Sequence, residues 1–320
     1  MKILVAGGAG YIGSVMIPKL LERGYNVDVI DLFWFGNHLP KEVGAINKDI
    51  FELCEDDVKD YDQVIFLGGL SNDPMAEFSP AKNFISNASA PAFLCYVSKK
   101  AGVKRFIYAG SCSVYGYTVN ELYDENSPAI SNYPYGISKL QGEQAVIQMI
   151  EEGFSVIAFR QGTVCGYSPR MRLDLVVNTM FKTALTEKVI TINNPAIWRP
   201  ILSINDAAMA YVRAIEANET ISGIFNIASG NYTVGEIGDL VKAGVKKYLD
   251  LNVDLNIKHI KDFRNYKVSF DKAKKVLSFH PQYGVESIIK DLVDNIKKFK
   301  DFNNPNYYNI KVFKKILARK

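Results

Sequence analysis

The chain has 320 residues, 48% hydrophobic and 22% charged, enough apolar material for one large or two modest domains. Its +4 charge is lopsided: residues 297–320 hold eight Lys or Arg against one acid, leaving a body of −3 that argues against a nucleic-acid binder. Four scattered cysteines (Cys54, Cys95, Cys112, Cys165) argue against a zinc site or disulfide framework and fit a cytoplasmic setting, and no apolar run reaches the roughly 18 residues of a membrane span.

Residues 3–6 read as a short apolar strand that ends at Gly7-Gly8, which breaks any likeness to a signal peptide. The turn continues to Gly13, with glycines at 7, 10 and 13, and helical spacing follows over 14–23, closed by Gly24. Glycines so placed let the backbone turn, approach a pyrophosphate and pack the helix on the sheet; the helix then offers free N–H groups to the phosphates. Gly7, Gly10, Tyr11, Ile12 and Gly13 are therefore candidate dinucleotide contacts.

A second strand over 27–30 ends at Asp31, eighteen residues past Gly13, where a carboxylate accepts from both ribose hydroxyls. That charge repels a 2′-phosphate, and no arginine closely follows Gly13 or Asp31, so the reading is NAD rather than NADP. Asp49-Ile50 is either an adenine contact or a solvated loop.

Strands over 64–67 and 105–109, a helix over 88–101, another over 139–152 and a strand over 156–160 continue the alternation. Short, fully apolar strands between helices predict an α/β fold, a Rossmann-type doubly wound parallel sheet, with ligands at the carboxyl ends of its strands. After about residue 165 the pattern loosens, with helices over 175–185, 234–248 and 285–299. We expect an NAD-binding domain over 1–165 and a smaller mixed α/β substrate lobe over 166–320, some of whose segments return to the first sheet.

Tyr135 and Lys139 lie four apart in "YPYGISK" at the mouth of a helix, so phenol and ammonium share a face. A nearby ammonium favours the phenolate, and such a tyrosine takes a proton from a sugar hydroxyl as hydride leaves for nicotinamide.

With "VAGGAGYIG", "VIDLF", "AGVKRFIYAGSCSVYG", "YPYGISK", "WRPILSINDAA", "FNIASGN" and "VSFDKAKKVLSFHPQYGVESIIKDL" in order, the chain resembles the extended short-chain dehydrogenase/reductase family, in its NAD-dependent epimerase/dehydratase branch acting on nucleotide sugars. The resemblance implies that Ser111, three places before Val114-Tyr115-Gly116, carries the catalytic hydroxyl and bonds the sugar O4, as in UDP-glucose 4-epimerases. It sets Leu67-Gly68-Gly69 beside the nicotinamide and makes Asn87 a cofactor-side residue. Thr163 stands where relatives carry a substrate-facing Asn, and Asn178, Arg199 and Arg264 match places that grip the nucleotide diphosphate. A homodimer is also implied.

The family's 4,6-dehydratases carry Asp and Glu after the catalytic Thr, where this chain has Cys112 and Ser113, so dehydration is disfavoured. Cys112 is either a substrate contact or a small buried residue facing away from the sugar. "SPRMRLDLVVN" (residues 168–178) resembles a subgroup that includes GDP-heptose 4-dehydrogenase-like enzymes. Arg170 and Arg172 there either approach phosphates or a neighbouring subunit, or pair with Asp174.

The expected function is a nucleotide-sugar 4-epimerase working through a transient 4-keto sugar, with no metal. The alternatives are a 4-dehydrogenase that releases the keto sugar and, from another class, a non-catalytic NAD-sensing protein. The basic tail sets Ile310, Phe313 and Leu317 on one helical face, either packed on the body or offered to a membrane or partner.

Overall fold

The computed structural model describes residues 1–260 and 264–318, with 118–120 described by backbone alone. Fourteen strands are described: β1 Lys2–Ala6, β2 Asn26–Asp31, β3 Gly44–Asn47, β4 Gln63–Phe66, β5 Arg105–Ala109, β6 Tyr117–Tyr123, β7 Ser155–Gln161, β8 Thr163–Cys165, β9 Val189–Asn193, β10 Trp198–Ser203, β11 Gly223–Ile227, β12 Gly230–Thr233, β13 Asp254–Lys258 and β14 Asn265–Val268.

Seven form one parallel sheet in the order β11-β7-β5-β4-β1-β2-β3, as the alternation predicts. Chain direction across the sheet reverses between β1 and β4, which opens a crevice at their carboxyl ends. The inner strands are apolar because helices cover both faces. On one face Ile3, Val29, Ile107 and Phe159 pack with helices Gly13–Leu21, Ile204–Glu216 and Asp271–Leu277. On the other, Phe66, Leu94, Phe106 and Val146 join helices Ala90–Lys100 and Pro134–Ile147.

Arg105, fully buried at the start of β5, ties the sheet to the helix Ile204–Glu216. Its guanidinium donates to the carbonyls of Ala214 and Ala217, both at 2.7 Å, and of Asn218 at 2.5 Å. These carbonyls at the helix end need donors, and a cation also suits the negative end of the dipole.

The second lobe has its own core, built on Ile190 of β9 with Phe181, Val241, Ile288 and Leu292 from helices Val176–Glu187, Val234–Leu249 and Val285–Asn295. The small sheets are β12-β10-β8, β13-β9 and β14-β6, the first and last of which borrow β8 and β6 from the first 165 residues. The segment after 165 is not one body: Ile204–Glu216, β11 and Asp271–Leu277 all return to the large sheet's layers.

Two helices start earlier than their apolar spacing indicates. The one expected at 88 begins at Pro80 and passes through a π-helical turn, Ile85–Ser89, before Ala90–Lys100. Buried Asn83 and Asn87 occupy its inner face, so the apolar period is absent there. The one expected at 139 begins at Pro134, whose ring suits a first helical position.

The tail forms helix Asn309–Leu317, and its apolar face is spent on the protein itself. Phe313, 1% exposed, packs on Leu70 and Met75 with Trp34, Ile310 and Leu317 around it, so this face is not offered to a membrane. Arg319 and Lys320 lie outside the described residues. Among the described residues no helix is long and apolar enough to cross a membrane, and no cluster of His, Cys, Asp or Glu is fit for a metal.

Candidate active site

One cleft of about 1050 Å³ runs along the carboxyl ends of the large sheet and continues under the second lobe. At its centre β1 gives way to the glycine turn. Gly7 has φ +79°, and a Cβ there would lie 2.5 Å from the Gly68 nitrogen, so only glycine lets this turn meet the exit of β4. At Gly10 a Cβ would meet only the Gly7 carbonyl, at 3.1 Å; the rest of its space is open cleft, a cradle into which backbone-bound phosphates fit. Tyr11, Ile12 and Gly13 line the same wall, and the Tyr11 hydroxyl donates to the Gly166 carbonyl at 2.6 Å, joining the lobes.

Asp31 ends β2 on the cleft. Its carboxylate accepts the N–H of Ala9 at 3.0 Å and of Phe33 at 2.8 Å. Burial raises its pKa, against those two N–H groups, which lower it. Asp49, Ile50, Leu67, Gly68 and Gly69 also line the cleft. With the Gly10 cradle and the Asp31 carboxylate, these residues fit an adenine dinucleotide that lacks a 2′-phosphate.

Asn87 is not on the wall. It is fully buried, and its amide donates to the Leu70 carbonyl at 2.9 Å and to Asn83 at 2.8 Å, bracing the loop after β4 from behind.

The strand β5 delivers Ser111 to the cleft, and the helix Pro134–Ile147 brings Tyr135 and Lys139 to the same place. Ser111 Oγ accepts from Ser113 Oγ at 2.9 Å and is also within hydrogen-bonding reach of the Tyr135 phenol, whose pKa it lowers. Burial outweighs that bond and pushes Tyr135 up to about 12. Lys139, held down to about 8 by burial, donates to the Ala109 carbonyl at 3.0 Å and stands over the Tyr108 ring. The sequence expectation of a phenol brought towards neutrality by Lys139 is therefore corrected: in the protein alone, desolvation dominates both groups.

Cys112 turns away. It is fully buried and its thiol donates to the Arg160 carbonyl at 3.2 Å, while burial pushes the thiol pKa far up. It does not line the cleft and has no access to a substrate. Asn178 is likewise fully buried, accepting the Gly166 N–H at 3.0 Å and donating to the Arg172 carbonyl at 2.8 Å. It shapes the loop after β8 rather than reaching a diphosphate.

Thr163, Arg199 and Arg264 do face the cleft at its far end. Thr163 sits opposite Ile201 in the β8–β10 pair, and Arg199 opposite Tyr232 in the β10–β12 pair. Arg199 donates to the carbonyls of Trp198 and Arg264, and Arg264 pairs with Asp73. Sequence reading missed Asp73, which sits 191 residues from its partner with no motif to mark it. Arg172 takes the pairing with Asp174, Nε to Oδ1 at 2.9 Å, and Asn72 adds a bond to the same carboxylate at 3.0 Å.

The family model described as the NAD dependent epimerase/dehydratase family matches residues 3–228. A UDP-glucose 4-epimerase of Corynebacterium glutamicum is 25% identical over 91% of this chain and 94% of that protein. UDP-glucuronic acid decarboxylase 3 of Arabidopsis thaliana is 26% identical over 88% of this chain and 85% of its own length. The crystal structure of UDP-glucose 4-epimerase from Thermotoga maritima with UDP-glucose superposes with TM-score 0.83 at 25% identity, covering 94% of this chain and 100% of that one. The chain belongs to the NAD dependent epimerase/dehydratase family, within the extended short-chain dehydrogenases/reductases, and is an NAD-dependent enzyme.

Proposed function

We propose that the protein is a nucleotide-sugar 4-epimerase. The observation that carries this reading is the meeting of Ser111, Tyr135 and Lys139 in the same cleft as the glycine turn and Asp31. Relatives described as UDP-glucose 4-epimerases and UDP-glucuronic acid decarboxylases support a nucleoside diphosphate sugar as substrate.

In this reading Arg199 and Arg264 hold the diphosphate, with Thr163 beside the sugar. Ser111 orients the O4 hydroxyl, and the Tyr135 phenolate takes its proton. The Lys139 ammonium, on the same helix as Tyr135, works against the burial that keeps the phenol protonated in the protein alone. Bound in the cleft, oxidised NAD would supply a reversible acceptor for the C4 hydride. Tyr135 gives the proton back once the 4-keto sugar has turned its other face, so no net oxidation results.

Cys112 and Ser113 supply no carboxylic acid for a leaving hydroxyl, which speaks against elimination of water. The C-terminal helix supports epimerisation over net oxidation: Asn309, Ile310 and Phe313 line the cleft, and a cofactor recycled in place gains from a closed site.

The test is incubation of the pure protein with UDP-, GDP-, dTDP- and CDP-sugars, following C4 configuration by NMR. Interconversion of C4 epimers without added NAD is the expected result. Accumulating NADH with a released keto sugar would overturn it in favour of a 4-dehydrogenase.

A further inference from the structure

Arg170 and Arg172 follow β8 on the same loop, yet they are partnered differently. Arg172 forks onto Asp174, whereas Arg170, 2% exposed, forms no ion pair among the described residues. Its guanidinium lies 3.6 Å from the centre of the Phe35 ring, and one terminal nitrogen donates to the Asn309 side-chain oxygen at 2.5 Å. The other reaches only the Met171 carbonyl, at 3.4 Å. Its Nε–H is buried with no partner at all.

A buried cation with an idle donor is costly unless something completes it. Burial and the neighbouring Arg172 push the Arg170 guanidinium down to about 9. The position says what the missing partner is. Arg170 lines the cleft together with Asp31 and Tyr11, the first at the ribose place and the second in the glycine turn, and stacks on Phe35 just past β2. The span between those two is where a dinucleotide's pyrophosphate lies.

Asn309 fixes this arrangement from the far end of the chain. Its amide donates to Ser71 Oγ at 2.6 Å while its oxygen holds Arg170. One turn on, Phe313 stacks on Trp34 at 6.0 Å and meets Phe78 edge-on at 6.1 Å. The helix Asn309–Leu317 thus bridges the loop after β2 and the loop after β4, across the cleft.

We propose that Arg170, positioned by Asn309, donates its Nε–H to the pyrophosphate of the bound dinucleotide, so that the C-terminal helix is part of the cofactor site. The contact pairs a fixed guanidinium with a phosphate, a charge-assisted hydrogen bond that a desolvated site strengthens. It rests on the cofactor alone and does not depend on which sugar is turned over.

The test is calorimetric titration of the full chain, freed of NAD, with adenosine, 5′-ADP, 2′,5′-ADP and NAD. R170Q is expected to weaken 5′-ADP and NAD about 10-fold or more while leaving adenosine within about 2-fold. N309A, which keeps the charge and loosens its hold, is expected to weaken the same two ligands by a smaller factor. It also carries the test if R170Q does not fold. Unchanged NAD binding in both variants, an equal loss for adenosine, or a loss confined to 2′,5′-ADP would overturn the proposal. Loss of pyrophosphate binding in a protein that turns over no sugar leaves the inference standing and the epimerase reading fallen.

Discussion

The Lys139 ammonium donates to the carbonyl of Ala109, 3.0 Å away, tying the helix that carries Tyr135 to the last residue of β5. The bond anchors that helix to the strand that leads into Ser111, and it places a cation where burial holds its pKa down to about 8.

That depressed value makes a stability prediction. Below pH 8 Lys139 is charged in both states and the fold bears its desolvation. Between about 8 and the unfolded value near 10.4 the unfolded chain binds the extra proton, so stability rises with pH. Replacing the lysine by methionine removes this rise. Denaturant unfolding at pH 7, 8.5 and 10 is expected to show wild type gaining up to a few kcal/mol relative to K139M. A constant difference across the three would refute the assignment.

Ser111 and Cys112 are neighbours with opposite fates, and their alanine variants separate chemistry from packing. S111A is expected to lower kcat by about 100-fold or more, because the phenol loses its hydrogen-bond partner, with little change in Tm. C112A is expected to leave kcat within about 2-fold and cost about 1 kcal/mol through the lost contact with Arg160. Epimerisation rates and thermal unfolding check both; a catalytic loss in C112A would mean that the thiol reaches the sugar.

What could be read from the sequence was the local part. Gly7, Gly10, Tyr11, Ile12, Gly13, Asp31 and the Tyr135–Lys139 pair are set by short spacings on one strand–turn–helix or one helical face, and all line the cleft. Asn87 and Asn178 came from family resemblance, which matches positions without knowing which way a side chain turns; both are buried behind the wall, and Cys112 takes the buried, turned-away alternative of its two readings. Arg170 with Asn309, and Asp73 with Arg264, bridge 139 and 191 residues, and no periodicity marks contacts made only by the tertiary fold. The early starts at Pro80 and Pro134 were hidden because polar or mixed inner faces interrupt the apolar period.

Asp31 accepts two backbone N–H groups at the cleft, and in the proposed cofactor pose its charge, beside the ribose, decides between NAD and NADP. D31S keeps a small hydrogen-bonding side chain and removes that charge. Its NAD affinity is expected to fall about 10-fold and its NADP affinity to rise, as repulsion from a 2′-phosphate disappears. Calorimetric titration with both dinucleotides reads the ratio, and an unchanged ratio would place the selectivity elsewhere.

Behind the Ser111–Tyr115 turn, Arg160 forks onto Glu143 at 2.8 and 2.7 Å and donates to the Tyr115 hydroxyl at 2.8 Å. Both charged side chains are almost fully buried, so each is tolerated only while the other answers its charge. Removing one partner strands the other: E143L is expected to destabilise by about 3–5 kcal/mol and R160M by a similar amount. The double variant E143L/R160M leaves no buried charge and is expected to recover much of that loss, while Tyr115 retains Asn226 as a partner at 2.8 Å. Denaturant unfolding of the four proteins closes the cycle. Additive losses in the double variant would show that each residue acts on its own rather than as a pair.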